Sequence, residues 1–487
     1  MKRLLTLFLL LLLAIPVFAQ PAISNRYTFG GPKADEAQEG IYTSDGGFLF
    51  VGFTYELNPD HPNLYLVKSD PNGLVEWSGS YGGTAREYGY SVCCTPDGGY
   101  IATGFTSSMG NGSRDVYIIK VDSEGNEVWS KTYGSEYADG AYHILPLSTG
   151  GYLVTGFTGA LWDEYMYDVY LLKIDEQGDT LWTKTYEDPL SQRGYKTVER
   201  IDGEGYAIGG ITGTSSSNNR EGLLLLTDLD GVQESRNVCG GGGYDWTCDL
   251  VQHPNGMFYM VGEADVHRSD FMQLYLTCFS ENGTWLWHRL FGESAFYDYG
   301  RSIIMTPDRG FLIVGASKEL LTFKDNIYVV KVDSNGYSHW RERFGETEVQ
   351  EWISDVIPAG ENHYALFGYT TEEGGGGKNA MVATLDFIVD AVPENEESQP
   401  HGFYLSPVTP NPFNPTTEVE FSIGKPGEIE LAVYDIQGRL VRTLLQGSYS
   451  PGIYRTSFDA SGYASGSYFV RLDAADQQQM QKIVLLR

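Results

Sequence analysis

The chain has 487 residues, with 64 acidic side chains against 33 basic ones and a formal net charge of −31. That length holds two or three domains, and so acidic a surface repels nucleic acid and anionic membranes at ordinary salt. Five cysteines, Cys93, Cys94, Cys239, Cys248 and Cys278, are odd in number and fit no zinc spacing. Cys239 and Cys248 flank one loop and could pair in an oxidising compartment, but the sequence leaves the pairing open.

At the N-terminus, Met1-Lys2-Arg3 precedes an almost unbroken apolar run from Leu4 to Phe18, and Val17-Phe18-Ala19 offers small residues for cleavage. The run is too short for a membrane anchor and reads as a secretory signal peptide over 1–19. No later apolar stretch is long enough to span a bilayer.

A ten-residue phrase then returns seven times, first as Asp45 to Thr54, then Asp97 to Thr106 and Thr149 to Thr158. Its anchoring glycines are Gly52, Gly104, Gly156, Gly210, Gly262, Gly315 and Gly368, spaced 52 to 54 residues apart. A period of that length marks a solenoid, a propeller or an array. Each unit carries four short β-type runs. In the second they are Gly89 to Thr95, Tyr100 to Thr106, Asp115 to Val121 and Glu127 to Tyr133. They are rich in β-branched and aromatic residues and joined by Gly/Asp turns suited to hairpins. Four antiparallel strands per unit predict a propeller blade. The seventh unit has a third run near Asn379 to Asp386 but no fourth, while Tyr27-Thr28-Phe29-Gly30-Gly31 stands alone at the other end. The expectation is an all-β chain: a seven-bladed β-propeller over 20–390, closed by the N-terminal strand because an open ring would leave unpaired edges.

From Val389 the composition changes. A polar, proline-bracketed linker covers 391–402, and 403–487 lack the repeat. Period-2 strands at Glu418 to Ile423, Glu428 to Tyr434 and Ser467 to Leu472 predict a small β-sandwich. Ser406 to Pro415, Val433 to Val441, Ser450 to Tyr454 and Ser465 to Leu472, followed by Lys482 to Arg487, resemble in order the C-terminal sorting domains of type IX secretion. The resemblance implies an immunoglobulin-like sandwich, contact with the secretion machinery, and delivery to the cell surface or medium. The repeat half, through Gly99 to Thr106 and Val116 to Asp122, resembles the Trp-containing, delta-60-type propeller repeats of exported bacterial proteins. Those families share a shape and not an activity.

The repeat separates scaffold from site. Trp77, Trp129, Trp182, Trp287 and Trp340 recur on the fourth strand and read as blade packing. Lys-x-Asp pairs such as Lys120 with Asp122 read as strand-end chemistry, and Asp122 to Asn126 as a hairpin turn in preference to a calcium loop. Tight turns fall on one face. Long, irregular strand 2–3 and blade-to-blade loops fall on the other, which is the candidate binding surface. Its aromatic residues outside the repeat are Trp162, Tyr165, Tyr167, Tyr244, Trp246, Tyr297 and Tyr299, candidates for stacking on sugar rings. Its acids include Asp139, Asp245 and Asp298, for which Ca²⁺ is the alternative to a simple acidic surface. No catalytic residue is assigned and no cofactor is expected. The eight histidines form no metal motif, and no nucleophile elbow or phosphate loop is present.

The reading is an exported, non-enzymatic binding or adhesion module for a glycan or surface protein. Its alternatives are a secreted glycan-active enzyme using loop carboxylates and a purely structural envelope component.

Overall fold

The computed structural model describes residues 21–487 apart from 161–162, 214–219, 241–242, 266–271, 294, 323, 346–348, 361, 372–376, 388–403, 406–412, 414, 424–426, 450–451, 475–476 and 486–487. The expected signal peptide and linker therefore lie outside the described residues. The chain forms two compact units, one up to Ile388 and one of Val389–Arg487. Among the described residues there is no helix.

The first unit holds seven four-stranded antiparallel sheets, an arrangement consistent with a propeller. Six are made of consecutive strands. The second, Glu87–Cys94, Tyr100–Thr106, Asp115–Val121 and Glu127–Tyr133, follows the expected runs, with its first strand starting two residues early. The seventh contains Glu351–Gly360, His363–Thr370 and Asn379–Asp386, and its fourth strand is Ala22–Phe29. That strand pairs antiparallel with Asn379–Asp386, placing Tyr27 opposite Val382.

Burial explains the strand sequences. Second and third strands such as Tyr100–Thr106 and Asp115–Val121 are buried at every residue, because neighbouring sheets cover both faces. They therefore read as continuous apolar runs. Leu49, Val51 and Leu64 of the first sheet pack on Tyr100, Ala102 and Ile119 of the second. The same kind of cluster joins the seventh sheet to the first: Phe29, Phe367 and Val382 pack on Ala37, Phe50 and Val67. Each first strand touches the first strands of its neighbours, and Glu351–Gly360 touches Asp35–Tyr42. First strands are thus the innermost layer.

Fourth strands are partly exposed and clasp the next sheet. Trp77 lies against the third-to-fourth-strand turn of the second sheet, its Nε1–H donating to Ser123 O at 2.9 Å, and Tyr81 donates its hydroxyl proton to Gly125 O at 2.5 Å. Tyr133 and Tyr186 repeat that bond to Gly178 and Gly231. Tyr27, on the N-terminal strand, lies against Gly73 of the first sheet as Trp77 lies against Gly125. In the turn itself, Asp122 Oδ1 accepts the N–H groups of Glu124 and Asn126, both at 2.9 Å, which is Asx-turn chemistry. The recurring lysines pair with the first hairpin and not with the Asp two residues on: Lys120 with Asp97 at 2.6 Å, and Lys331 with Asp308 at 2.7 Å.

All five cysteines are free thiols, so Cys239 and Cys248, which the sequence leaves open as a pair, are not bonded. Cys239 is buried within the apolar cluster of its own and the following sheet. Cys248 Sγ instead faces the backbone carbonyls of Gly300 and Arg301, at 3.2 and 3.4 Å.

In the second unit, Tyr404–Leu405, Thr416–Ile423 and Gly452–Asp459 form one sheet. Leu440–Tyr449, Gly427–Asp435, Gly466–Ala474 and Gln477–Leu485 form another. Val419, Phe421 and Phe458 of the first share one core with Leu431, Val433, Val470 and Leu472 of the second.

Candidate binding site

All seven first strands carry a register shift at the same place. The extra residues are Gln38, Tyr90, Tyr142, Tyr195, Cys248, Arg301 and Ser354, each fourteen residues before the repeat glycine, or fifteen in the fourth sheet. A bulge re-aims side chains and increases local twist. Here it turns two consecutive residues of every sheet out of the usual alternation, and the result is two layers at the centre of the unit.

The deeper layer is polar. A side chain on one sheet accepts a backbone N–H from the next: Glu39 from Val92 at 3.0 Å, Ser91 from Ile144 at 3.2 Å, His143 Nδ1 from Thr197 at 3.3 Å, and Asp249 from Ile303 at 2.8 Å. Asp355 accepts from Gly40 of the first sheet at 3.0 Å. Lys196, on the fourth sheet, pairs with Glu39 on the first at 2.8 Å. These sheets are not neighbours, so the pair crosses the centre and floors whatever lies above it.

Protonation follows from this geometry. Ser302 Oγ lies 2.9 Å from both Asp249 Oδ2 and Asp355 Oδ1. One hydroxyl has one proton, so both contacts are satisfied only when a carboxyl donates as well. Burial, then the nearby Glu39 carboxylate, pushes Asp355 up to about 7 despite the opposing pull of Lys196. Asp249 is raised by burial too. His143 is pushed well below its ordinary value, first by burial and then by Lys196, as its accepting Nδ1 requires.

The shallower layer is aromatic and cationic. Tyr90, Tyr142, Tyr195 and Trp246 come from four successive sheets and form an unbroken arc, with ring centroids 5.2, 4.7 and 5.3 Å apart. Guanidinium groups lie on its rim: Arg193 is 4.5 Å from the Tyr167 ring, Arg220 is 5.1 Å from Trp246, and Arg114 is 5.0 Å from Phe105. Arg114 and Arg220 are fixed by their own backbone, through isolated parallel bridges to Ala138 and Tyr244 of the next sheet. Across the arc the equivalent positions are Cys248, Arg301, Ser354 and Gln38, and of these Arg301 is bulky but paired with Glu263 at 2.9 Å.

The sequence-derived candidates distribute unevenly over this site. Tyr167, Tyr244 and Trp246 belong to it, stacked with Arg193 or Arg220. Tyr299 lies further round, 5.5 Å from Trp352, and Tyr297 sits two residues before it on Phe296–Met305. Trp162 and the side chain of Tyr165 are outside the described residues. Asp139, Asp245 and Asp298 occupy one register position in three separate sheets, all buried. Asp139 caps Ser135 N–H at 2.6 Å, and Asp298 accepts from Ser317 at 2.5 Å and pairs with Arg343 at 3.2 Å. Among the described residues no three His, Cys, Asp or Glu side chains come together as a metal-sized group.

Comparison with known proteins bears on the second unit. Residues 407–486 match the secretion system C-terminal sorting domain. That match implies secretion through the type IX system and outer-membrane or cell-surface attachment. No curated protein matches the chain. Solved structures similar in fold include a protein of unknown function from Dyadobacter fermentans, at 13% identity and a TM-score of 0.45, covering 75% of this chain and 99% of that one. A puromycin hydrolase matches at 11% identity and 0.49, covering 81% and 61%. The polysaccharide lyase Uly1 matches at 11% and 0.44, covering 74% and 92%.

Proposed function

We propose that this is an exported, non-enzymatic binding protein. In this reading the first unit is a seven-bladed propeller closed by Ala22–Phe29, and the sorting domain delivers it. Its loop-rich face holds a cup for a glycan or a surface protein. The observation that carries the reading is the arc of Tyr90, Tyr142, Tyr195 and Trp246 rimmed by arginines. A scaffold alone does not need such a concentration of aromatic faces and carboxylate-free guanidinium groups, whereas recognition sites are enriched in aromatic residues and arginine.

An enzymatic reading would rest on Asp355, whose carboxyl sits near neutrality. Both of its oxygens are engaged by Gly40 and Ser302, which favours a structural role. The test is the melting temperature of the secreted chain against a panel of polysaccharides and surface proteins. A ligand at one hundred times its Kd adds about 2.7 kcal/mol and should shift the transition without being consumed. Turnover of a polysaccharide that one carboxylate substitution abolishes would overturn the proposal.

A further inference from the structure

We infer that the cup recognises a short carboxylated saccharide, a uronate-type residue or chain end. This rests on the binding reading above and adds the chemical class. The argument begins with an anomaly of charge. The protein carries two acids for every base, and several arginines near the first strands have carboxylate partners: Arg26 with Glu351 at 2.9 Å, Arg301 with Glu263 at 2.9 Å, and Arg343 with Asp298 at 3.2 Å. Lys378 likewise pairs with Glu36 at 2.7 Å. Arg114, Arg193 and Arg220 pair with no carboxylate among the described residues. Their neighbours are aromatic rings.

These three converge. Arg114 and Arg193 both act electrostatically on Tyr142, and Arg193 and Arg220 both act on Tyr195. The cup thus holds a cluster of positive charge between tyrosine rings, inside an otherwise anionic surface. Guanidinium groups bind carboxylates in a planar, bidentate fork. Tyr195 Oη is buried beside the Arg193 guanidinium, which acts on it directly. The hydroxyl oxygen and the remaining guanidinium N–H groups can meet a ligand's hydroxyls or carboxylate. Sugar rings offer such hydroxyls together with a C–H face for Tyr195 and Trp246.

The long-range field sets the ligand's size. Surface charges are screened beyond about 8–10 Å at physiological salt, so the arginines dominate inside the cup while the acidic exterior repels an extended polyanion. The floor formed by Lys196 and Glu39 also stops a chain from threading through. A single acidic residue or a short oligosaccharide fits both limits.

The experiment is calorimetric titration of the secreted full-length chain with tetragalacturonate, the neutral galactose tetramer and a glutamate tetrapeptide. The expected result is saturable binding of tetragalacturonate, with the neutral tetramer about tenfold weaker. Arg193→Gln and Arg220→Gln should each weaken it by about tenfold in a protein that still unfolds cooperatively, Arg193→Lys should retain part of the affinity, and about 1 M salt should suppress binding. Equal binding of acidic and neutral tetramers, unchanged in both variants, overturns the carboxylate assignment while leaving a glycan-binding module standing. Binding of the glutamate peptide but neither saccharide overturns the saccharide class. No binding of tetragalacturonate by a folded protein overturns the inference outright.

Discussion

Replacing Asp355 by Asn should stabilise the protein at neutral and alkaline pH, although the position is buried and hydrogen-bonded. The carboxyl is held near pH 7 against an ordinary value of 3.8. Below about pH 4 the acid is protonated in both folded and unfolded chains and costs nothing. As pH rises from there through 7, the unfolded chain releases the proton and the folded one holds it, so stability is lost across that window. A rise of about three units, at about 1.4 kcal/mol per unit, amounts to roughly 4 kcal/mol lost by pH 8. The asparagine is isosteric with the protonated acid. Its oxygen can accept Gly40 N–H, now at 3.0 Å, and its amide can donate to Ser302 Oγ. The assay is urea unfolding of wild type and Asp355→Asn from pH 4 to 8, compared as a difference so that other titrations cancel. His143, depressed by burial, is one of these; it loses stability as pH falls below its ordinary 6.5, opposite in sign to Asp355. The variant should match the wild type at pH 4 and exceed it by 2–4 kcal/mol, an order-of-magnitude range, at pH 8. A variant less stable than the wild type by the same amount at every pH would refute the protonated Asp355–Ser302–Asp249 chain.

Lys196→Met should cost about 3–5 kcal/mol at pH 8, because it leaves Glu39 without its ammonium partner. A small change would count against the central pair. Deleting Ala22–Phe29 strips Asn379–Asp386 of its partner and removes Phe29 from the cluster with Phe50. The first unit should melt many degrees lower, and an unchanged melt would rule out closure by that strand. Gly125→Ala should cost at least about 1 kcal/mol, since φ is 83° and the new Cβ would stand 2.6 Å from the Trp77 ring. Removing 407–487 should leave the first unit folded while the protein fails to reach the surface or medium; normal export would contradict the sorting role.

Much of the architecture was legible because the repeat states it many times. Gly104 and its counterparts fixed the phase, the fully buried second and third strands showed as apolar runs, and Asp122 announced its turn. The stranded Tyr27–Phe29 segment was legible because its partner unit lacked a fourth run. The site was harder to read, and the bulge explains why. Strict alternation would not turn both Tyr142 and His143 toward the centre, and only the register shift does so. The signal was present at a fixed distance before each repeat glycine, where Tyr90, Tyr142 and Tyr195 give way to Cys248 and Arg301. Attention to long loops alone passes over it. Arg193 and Arg220 were missed for a related reason: a lone arginine on a strand carries no motif, and only the fold shows that it stands among rings and not beside an acid.

The most direct test of the central claim is hydrogen–deuterium exchange of the secreted chain with and without tetragalacturonate. The account predicts slowed exchange confined to the first strands and rim of the aromatic arc, at residues 86–92, 139–144, 191–197 and 243–248. Unchanged exchange there, or protection only in the sorting domain, would contradict it.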